Sequence, residues 1–157
     1  MQLYLVQHGE ALSKDIDPDR ALSEAGRKDV QRLASFLAGK VRVARVLHSG
    51  KTRARQTAEI LAAAAAPDLK AEQFGGLNPN DPVESFVQHV EEWDENLLVV
   101  GHLPFMAKLV ARLTTGIEER AIVAYRPGSI VCLETEEGSG WQVQWMIRPE
   151  QLPEAPL

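Results

Sequence analysis

The chain has 157 residues, 45% of them hydrophobic and 25% charged, which is enough apolar material for one well-buried core and too short for two ordinary domains, so a single ordered domain over 1–157 is expected. A formal charge of −5 argues against nucleic acid or anionic membrane as the main partner, because phosphate-rich polymers are bound through a net basic surface; any anion must be bound locally. The lone Cys132 excludes an intramolecular disulfide and a cysteine zinc cluster, and within Ile130-Val131-Cys132-Leu133 it reads as a buried strand residue.

Residues 2–7 form the first predicted strand, a continuous apolar run of Leu3, Tyr4, Leu5 and Val6 that stops at Gln7-His8-Gly9. The run is far too short for a signal sequence, no basic segment precedes it, and no later stretch approaches the roughly 20 apolar residues of a membrane span, so a cytoplasmic location is expected. Polar residues 13–20 read as a loop, after which Ser23 caps a helix to about Leu37 with Val30, Leu33, Ala34 and Leu37 on its apolar face and Gly39 closing it. Residues 44–48 make a second strand; Ser49-Gly50 turns into a helix over about 51–66, with Ser49 as its cap and Pro67 as its stop. A short strand is expected over 69–74, then a helix opened by Asp81-Pro82 and running through Trp93. Residues 96–100 give the clearest strand, and Gly101-His102-Leu103-Pro104 leads into a helix ending near Thr114. Residues 129–134 and 141–147 read as two strands joined by a turn over 136–140.

Strands alternating with helices predict an α/β three-layer sandwich with a largely parallel central sheet, to which the terminal hairpin adds antiparallel strands. Ligands in such folds bind beyond the carboxyl ends of the strands, where His8, the segment from Ser49 to Arg53, and His102 all fall. Helix starts after Ser49 and Leu103 offer free N–H groups, Arg53 offers a planar fork suited to phosphate oxygens, and a neutral imidazole at His8 can attack phosphorus. His102 can then donate to a phosphoryl oxygen.

These segments resemble the histidine phosphatases, and within them the short SixA-type phosphohistidine phosphatases that lack inserted lids. Leu5-Val6-Gln7-His8-Gly9-Glu10 stands where the family carries Arg-His-Gly, and Arg20-Ala21-Leu22-Ser23-Glu24-Ala25-Gly26 is similar to its Arg-Pro-Leu-Thr-x-x-Gly. Ser49-Gly50-Lys51-Thr52-Arg53-Ala54-Arg55-Gln56-Thr57 is similar to Ser-x-x-x-Arg-Ala-x-Gln-Thr, and Val99-Val100-Gly101-His102-Leu103-Pro104 to Val-x-x-His-x-Pro. The resemblance spans nearly the whole chain. It implies a histidine phosphatase-like fold, His8 as nucleophile, Arg53 and His102 gripping the phosphoryl group, Arg20 as a further positive group at the pocket mouth, and a phosphohistidine-bearing protein as substrate.

The departure is Gln7, which replaces the family arginine and offers the phosphate a neutral amide instead of a charged fork. Arg55 could restore the charge only from a different face of its helix, since positions i and i+2 do not align. Glu10 is a candidate to orient His8 or to act as an acid, against its ordinary reading as a solvated loop residue. His48 reads as a packed residue and His89 as a surface one. No histidine pair has zinc-ligand spacing, so a metal-independent phosphatase without a cofactor is expected. The rival readings are a phosphatase for small phosphoesters and a phosphate- or phosphoprotein-binding module in which the loss at Gln7 has cost turnover.

Overall fold

A computed structural model describes residues 1–137 and 139–154. Its six-stranded sheet runs β3-β2-β4-β1-β5-β6, built from β1 (Gln2–Gln7), β2 (Arg45–His48), β3 (Glu72–Gln73), β4 (Leu97–Gly101), β5 (Ile130–Glu134) and β6 (Gln142–Ile147). β3, β2, β4 and β1 are mutually parallel, while β5 lies antiparallel to β1 and β6 antiparallel to β5. The expected α/β sandwich and its terminal antiparallel pair are therefore present. Gly138, within the turn expected over 136–140, lies outside the described residues.

Alternation along β1 assigns its side chains to two cores. Tyr4 and Val6 join Val30, Leu33 and Leu37 of α1 (Glu24–Leu37) and Ala54, Ala58 and Leu61 of α2 (Thr52–Ala65). Leu3 and Leu5 face the opposite way, against Phe86 and Val87 of α3 (Val83–Glu92) and Phe105, Met106 and Leu109 of α4 (Phe105–Thr115). Because both faces of β1 and β4 are covered, these strands are continuous apolar runs instead of alternating ones, which made them the easiest elements to see in sequence. Cys132 is fully buried in β5, as its apolar setting predicted.

Two local expectations need correction. The strand anticipated over 69–74 shrinks to the two exposed residues of β3, because Leu69 is half exposed and pairing is supplied only by Leu47 and His48 of β2. Asp81 does not cap α3: Pro82 occupies the cap position with no side-chain hydrogen bond, and Asp81 Oδ2 instead accepts from the Asn78 N–H at 2.9 Å. Among the described residues no helix is long and apolar enough to cross a membrane.

The topology brings the site together. β1 and β4 are neighbours with Gln7 opposite Gly101, so the next residue on each strand, His8 and His102, leaves the sheet at the same edge. β2 borders β4 on its other side and ends at His48 opposite Val100, which delivers Ser49 and the start of α2 beside them.

Candidate active site

His8 is held by its backbone before its side chain is considered. Its N–H donates to the Gly101 carbonyl at 3.0 Å, extending the β1–β4 pairing by one residue, and its own carbonyl accepts from the Gly128 N–H at 3.0 Å. The ring Nδ1 lies 2.7 Å from the Gly9 carbonyl oxygen. A carbonyl only accepts, so the proton is on Nδ1 and the lone pair of a neutral ring is on Nε2. Burial pushes the ring down to about 4, helped by the positive charges of Arg53 and Arg20, against a smaller upward pull from the Gly9 carbonyl. The ring of His8 is therefore held neutral, with its lone pair on Nε2.

The segment that follows is fixed by close approach. The Gly9 N–H donates to Thr57 Oγ1 at 3.0 Å, and that hydroxyl donates to the Arg53 carbonyl at 2.8 Å, tying the histidine loop to the helix that carries Arg53. A Cβ on Gly9 would lie 2.7 Å from a Val30 methyl, and one on Gly26 would collide with the Glu10 backbone, so α1 and this loop touch through two glycines. Ser23 caps α1 as predicted, accepting from the Gly26 N–H at 3.0 Å, and its own N–H binds the Glu10 carbonyl. The segment from Arg20 to Gly26 is thus a clamp on the backbone beside His8.

Arg53 and His102 complete the basic wall. Arg53 is driven down by burial and by the like charge of Arg20, and neither guanidinium has a carboxylate within ion-pair distance among the described residues. Arg20 takes the left-handed φ of +52°, with Ala21 N–H bound to Asp17 Oδ2 and its own Nε donating to the Leu12 carbonyl at 3.0 Å. Such a conformation in a bulky residue persists where surrounding bonds over-determine it. The His102 ring lies 5.0 Å from that of His8 and is pushed down to about 3, by burial first and then by His8 and Arg53.

Three buried side-chain polar atoms lack a hydrogen-bond partner among the described residues: Arg53 Nε, His102 Nδ1 and Gln7 Oε1. All three belong to the residues expected to hold phosphate. Buried polar groups are otherwise paired almost without exception, so this concentration calls for ligand atoms or ordered water. Gln7 is 7% exposed, and the amide orientation that exchanges Oε1 for Nε2 turns its unpaired position into a third donor.

Other expected residues go elsewhere. Glu10 does not orient His8, whose Nδ1 is taken by Gly9; it is exposed and lines a separate cavity of about 490 Å³ with Asp29, Arg126 and Glu150. Arg55 pairs with Glu59 at 2.9 Å and so does not replace the charge missing at Gln7. His48 is buried and accepts the Gly50 N–H on Nδ1 at 3.0 Å, while His89 is exposed on α3. Ser49 is not the cap of α2, which begins after Lys51 with no side-chain cap; its hydroxyl lies 2.6 Å from His102 Nε2. Thr57 and Gln56, whose Oε1 receives the Leu22 N–H at 2.8 Å, are supporting residues that periodicity could not reveal, because their partners are distant in sequence.

Residues 3–78 match the histidine phosphatase superfamily (branch 1). The chain is similar to the phosphohistidine phosphatase SixA of Escherichia coli, at 29% identity over 155 residues that cover 95% of this chain and 94% of that protein. It is 33% identical to an uncharacterised protein of Picosynechococcus over 144 residues, covering 82% and 87% of the two chains. A solved structure of the protein histidine phosphatase SixA complexed with tungstate matches with a TM-score of 0.80 at 30% identity, covering 95% of this chain and 97% of the other.

Proposed function

The chain belongs to the histidine phosphatase superfamily, and from that premise we propose that it is a metal-independent protein phosphohistidine phosphatase working through a covalent phosphohistidine at His8. The observation that carries this reading is the set of unpaired buried polar atoms on Arg53, His102 and Gln7 around a histidine whose Nε2 is free. His8 Nε2 attacks phosphorus while the bond to the departing group breaks and its electron pair leaves with that group. Arg53, His102 and Gln7 hold the three equatorial oxygens, and Arg20 adds positive charge at the mouth. Water then attacks the phosphorylated His8, displacing the imidazole and releasing phosphate. The relative bound to tungstate, a tetrahedral oxyanion, supports an anion pocket of this kind.

Substrate choice follows from the leaving group. Alkyl phosphates need an acid to protonate the departing alkoxide; of the two candidate carboxylates, Asp81 accepts the Asn78 N–H and Glu10 is exposed and lines the separate cavity with Asp29 and Arg126. A phosphohistidine with a protonated ring departs as neutral imidazole and needs no such acid. With chelator present, phosphate release from a phosphohistidine protein is expected to exceed that from a simple alkyl phosphate by about 10² or more in kcat/KM, the span a general acid contributes. Comparable values would overturn the substrate assignment, and tight phosphate binding without release from any substrate would leave a binding module.

Gln7 sets the affinity of the pocket. A guanidinium in its place would exchange a neutral contact for a charge-assisted one, so Gln7→Arg is expected to tighten vanadate inhibition by about tenfold. Gln7 adjoins the nucleophile, so kcat should rise as well if the new contact strengthens in the transition state. An unchanged or weaker inhibition constant would mean that the buried pocket has adapted around the amide and that Gln7 is no deficit.

A further inference from the structure

We propose that Ser49 is a positioning residue that fixes the tautomer of His102, keeping the proton on Nδ1 so that a neutral ring presents a donor to the phosphoryl oxygen. The proposal rests on the phosphatase reading of this site and assigns a role to the first residue of the α2 segment, which does not cap the helix that follows it.

The two ring nitrogens of His102 have different surroundings. Nε2 lies 2.6 Å from Ser49 Oγ, and Nδ1 is buried with no partner among the described residues. The Ser49 hydroxyl also accepts the Lys51 N–H at 3.3 Å, which occupies one of its lone pairs. A serine hydroxyl has a single O–H to donate, and the only hydrogen-bond acceptor beside it among the described residues is His102 Nε2. Donation from Oγ to Nε2 uses that proton and requires a lone pair there, so the ring proton resides on Nδ1. The reverse arrangement would have Nε2–H donate to Oγ and would leave the serine proton to solvent, since Ser49 is only half-buried. It would also present the bare lone pair of Nδ1, an acceptor, to a phosphoryl oxygen that can only accept.

Tautomer matters here because the ring is neutral in the free enzyme: burial and the neighbouring His8 and Arg53 push it down to about 3. A doubly protonated imidazole donates from both nitrogens whatever its neighbours. A neutral one donates from one only, and in a buried oxyanion site the wrong tautomer offers the phosphoryl group repulsion in place of a hydrogen bond. The two histidines are then held in the same form by unlike partners. The Gly9 carbonyl accepts from His8 Nδ1 and frees Nε2 as nucleophile, whereas the Ser49 hydroxyl donates to His102 Nε2 and keeps Nδ1–H as electrophile.

The test is ¹⁵N NMR of the histidine rings in the full-length protein, together with kinetics of Ser49→Ala, Ser49→Thr, His102→Ala and the Ser49→Ala/His102→Ala double variant. In the wild type the proton on His102 is expected on Nδ1, and in Ser49→Ala the Nε2–H form should become populated. Ser49→Ala is expected to lower kcat by roughly 10- to 100-fold with a smaller change in KM, the range seen when a supporting hydrogen bond to a site residue is removed. Ser49→Thr keeps the hydroxyl and should restore both the tautomer and most of the rate, while the double variant should be no slower than His102→Ala. A wild-type ring protonated on Nε2, or a folded Ser49→Ala with unchanged kcat, would overturn the proposal. If the wild type releases phosphate from no substrate, the phosphatase reading fails by itself. The wild-type ring spectrum and the tungstate affinity of Ser49→Ala then decide the role of Ser49, an unchanged affinity counting against it.

Discussion

Replacement of His8 by alanine is expected to abolish phosphate release, lowering kcat/KM by at least about 10³ and removing the phosphoenzyme, because the other neutral ring of the site, His102, has its Nε2 taken by Ser49. Rapid quench of the wild-type protein should trap a phosphoryl group stable to alkali and labile to acid, as an N-phosphoryl bond is. The Gly9 carbonyl holds the Nδ1 proton, so the label belongs on Nε2. Burial keeps the ring down at about 4, against an ordinary histidine value near 6.5. The charged form is the disfavoured one, so the nucleophile stays neutral as pH falls through 6 and is lost only as pH approaches 4. Labelling measured at pH 5.5 should accordingly not be lost to protonation of His8. Label surviving in His8→Ala, or phosphate released with no phosphoenzyme formed, would assign the nucleophile elsewhere.

Much of this site was legible in sequence, for a physical reason that also marks where legibility stops. β1 and β4 are buried on both faces, so they appear as unbroken apolar runs, and the residues just after such runs in a parallel sheet lie where ligands bind. That placement singles out His8 and His102. Ser23 was found as a cap because capping is a local pattern, satisfied here by the Gly26 N–H three residues on. Ser49 looked like the same pattern and was not. Its hydroxyl binds a ring 53 residues away, and no local rule distinguishes a serine that caps a helix from one that turns to the next strand. Thr57 and Gly26 stand in the motif segments, but their contacts are not local: their partners, the Gly9 N–H and the Glu10 backbone, approach only once α1 and α2 have packed on the sheet. The strand expected over 69–74 is longer than the observed β3, because an edge position beside a short β2 supplies only two pairings.

Arg53→Ala and His102→Ala are each expected to lower kcat/KM by about 10² or more, the loss typical of removing one donor from a preorganised anion site, whereas His48→Ala should cost far less. The three residues are close in the fold, so the contrast tests the site and not mere proximity. The charges acting on His8 and His102 include Arg53 and Arg20, while those acting on His48 are Glu59 and Arg55, which places His48 in a different electrostatic environment from the phosphate pocket. Its Nδ1 is committed to the Gly50 N–H, so its loss loosens the turn before α2 and affects the pocket only through Ser49 and Arg53. Arg53 has no carboxylate among the described residues to offset its burial, so its removal also relieves the repulsion it shares with Arg20. Arg53→Ala should therefore gain thermal stability, or lose little, while losing activity, the signature of a residue held at a cost for function. His102→Ala should leave a cavity in a tightly packed region and lose both. Thermal melts recorded beside the kinetics separate these outcomes. Losses at His48 equal to those at His102, or an Arg53→Ala protein of wild-type activity, would remove these residues from the roles assigned to them.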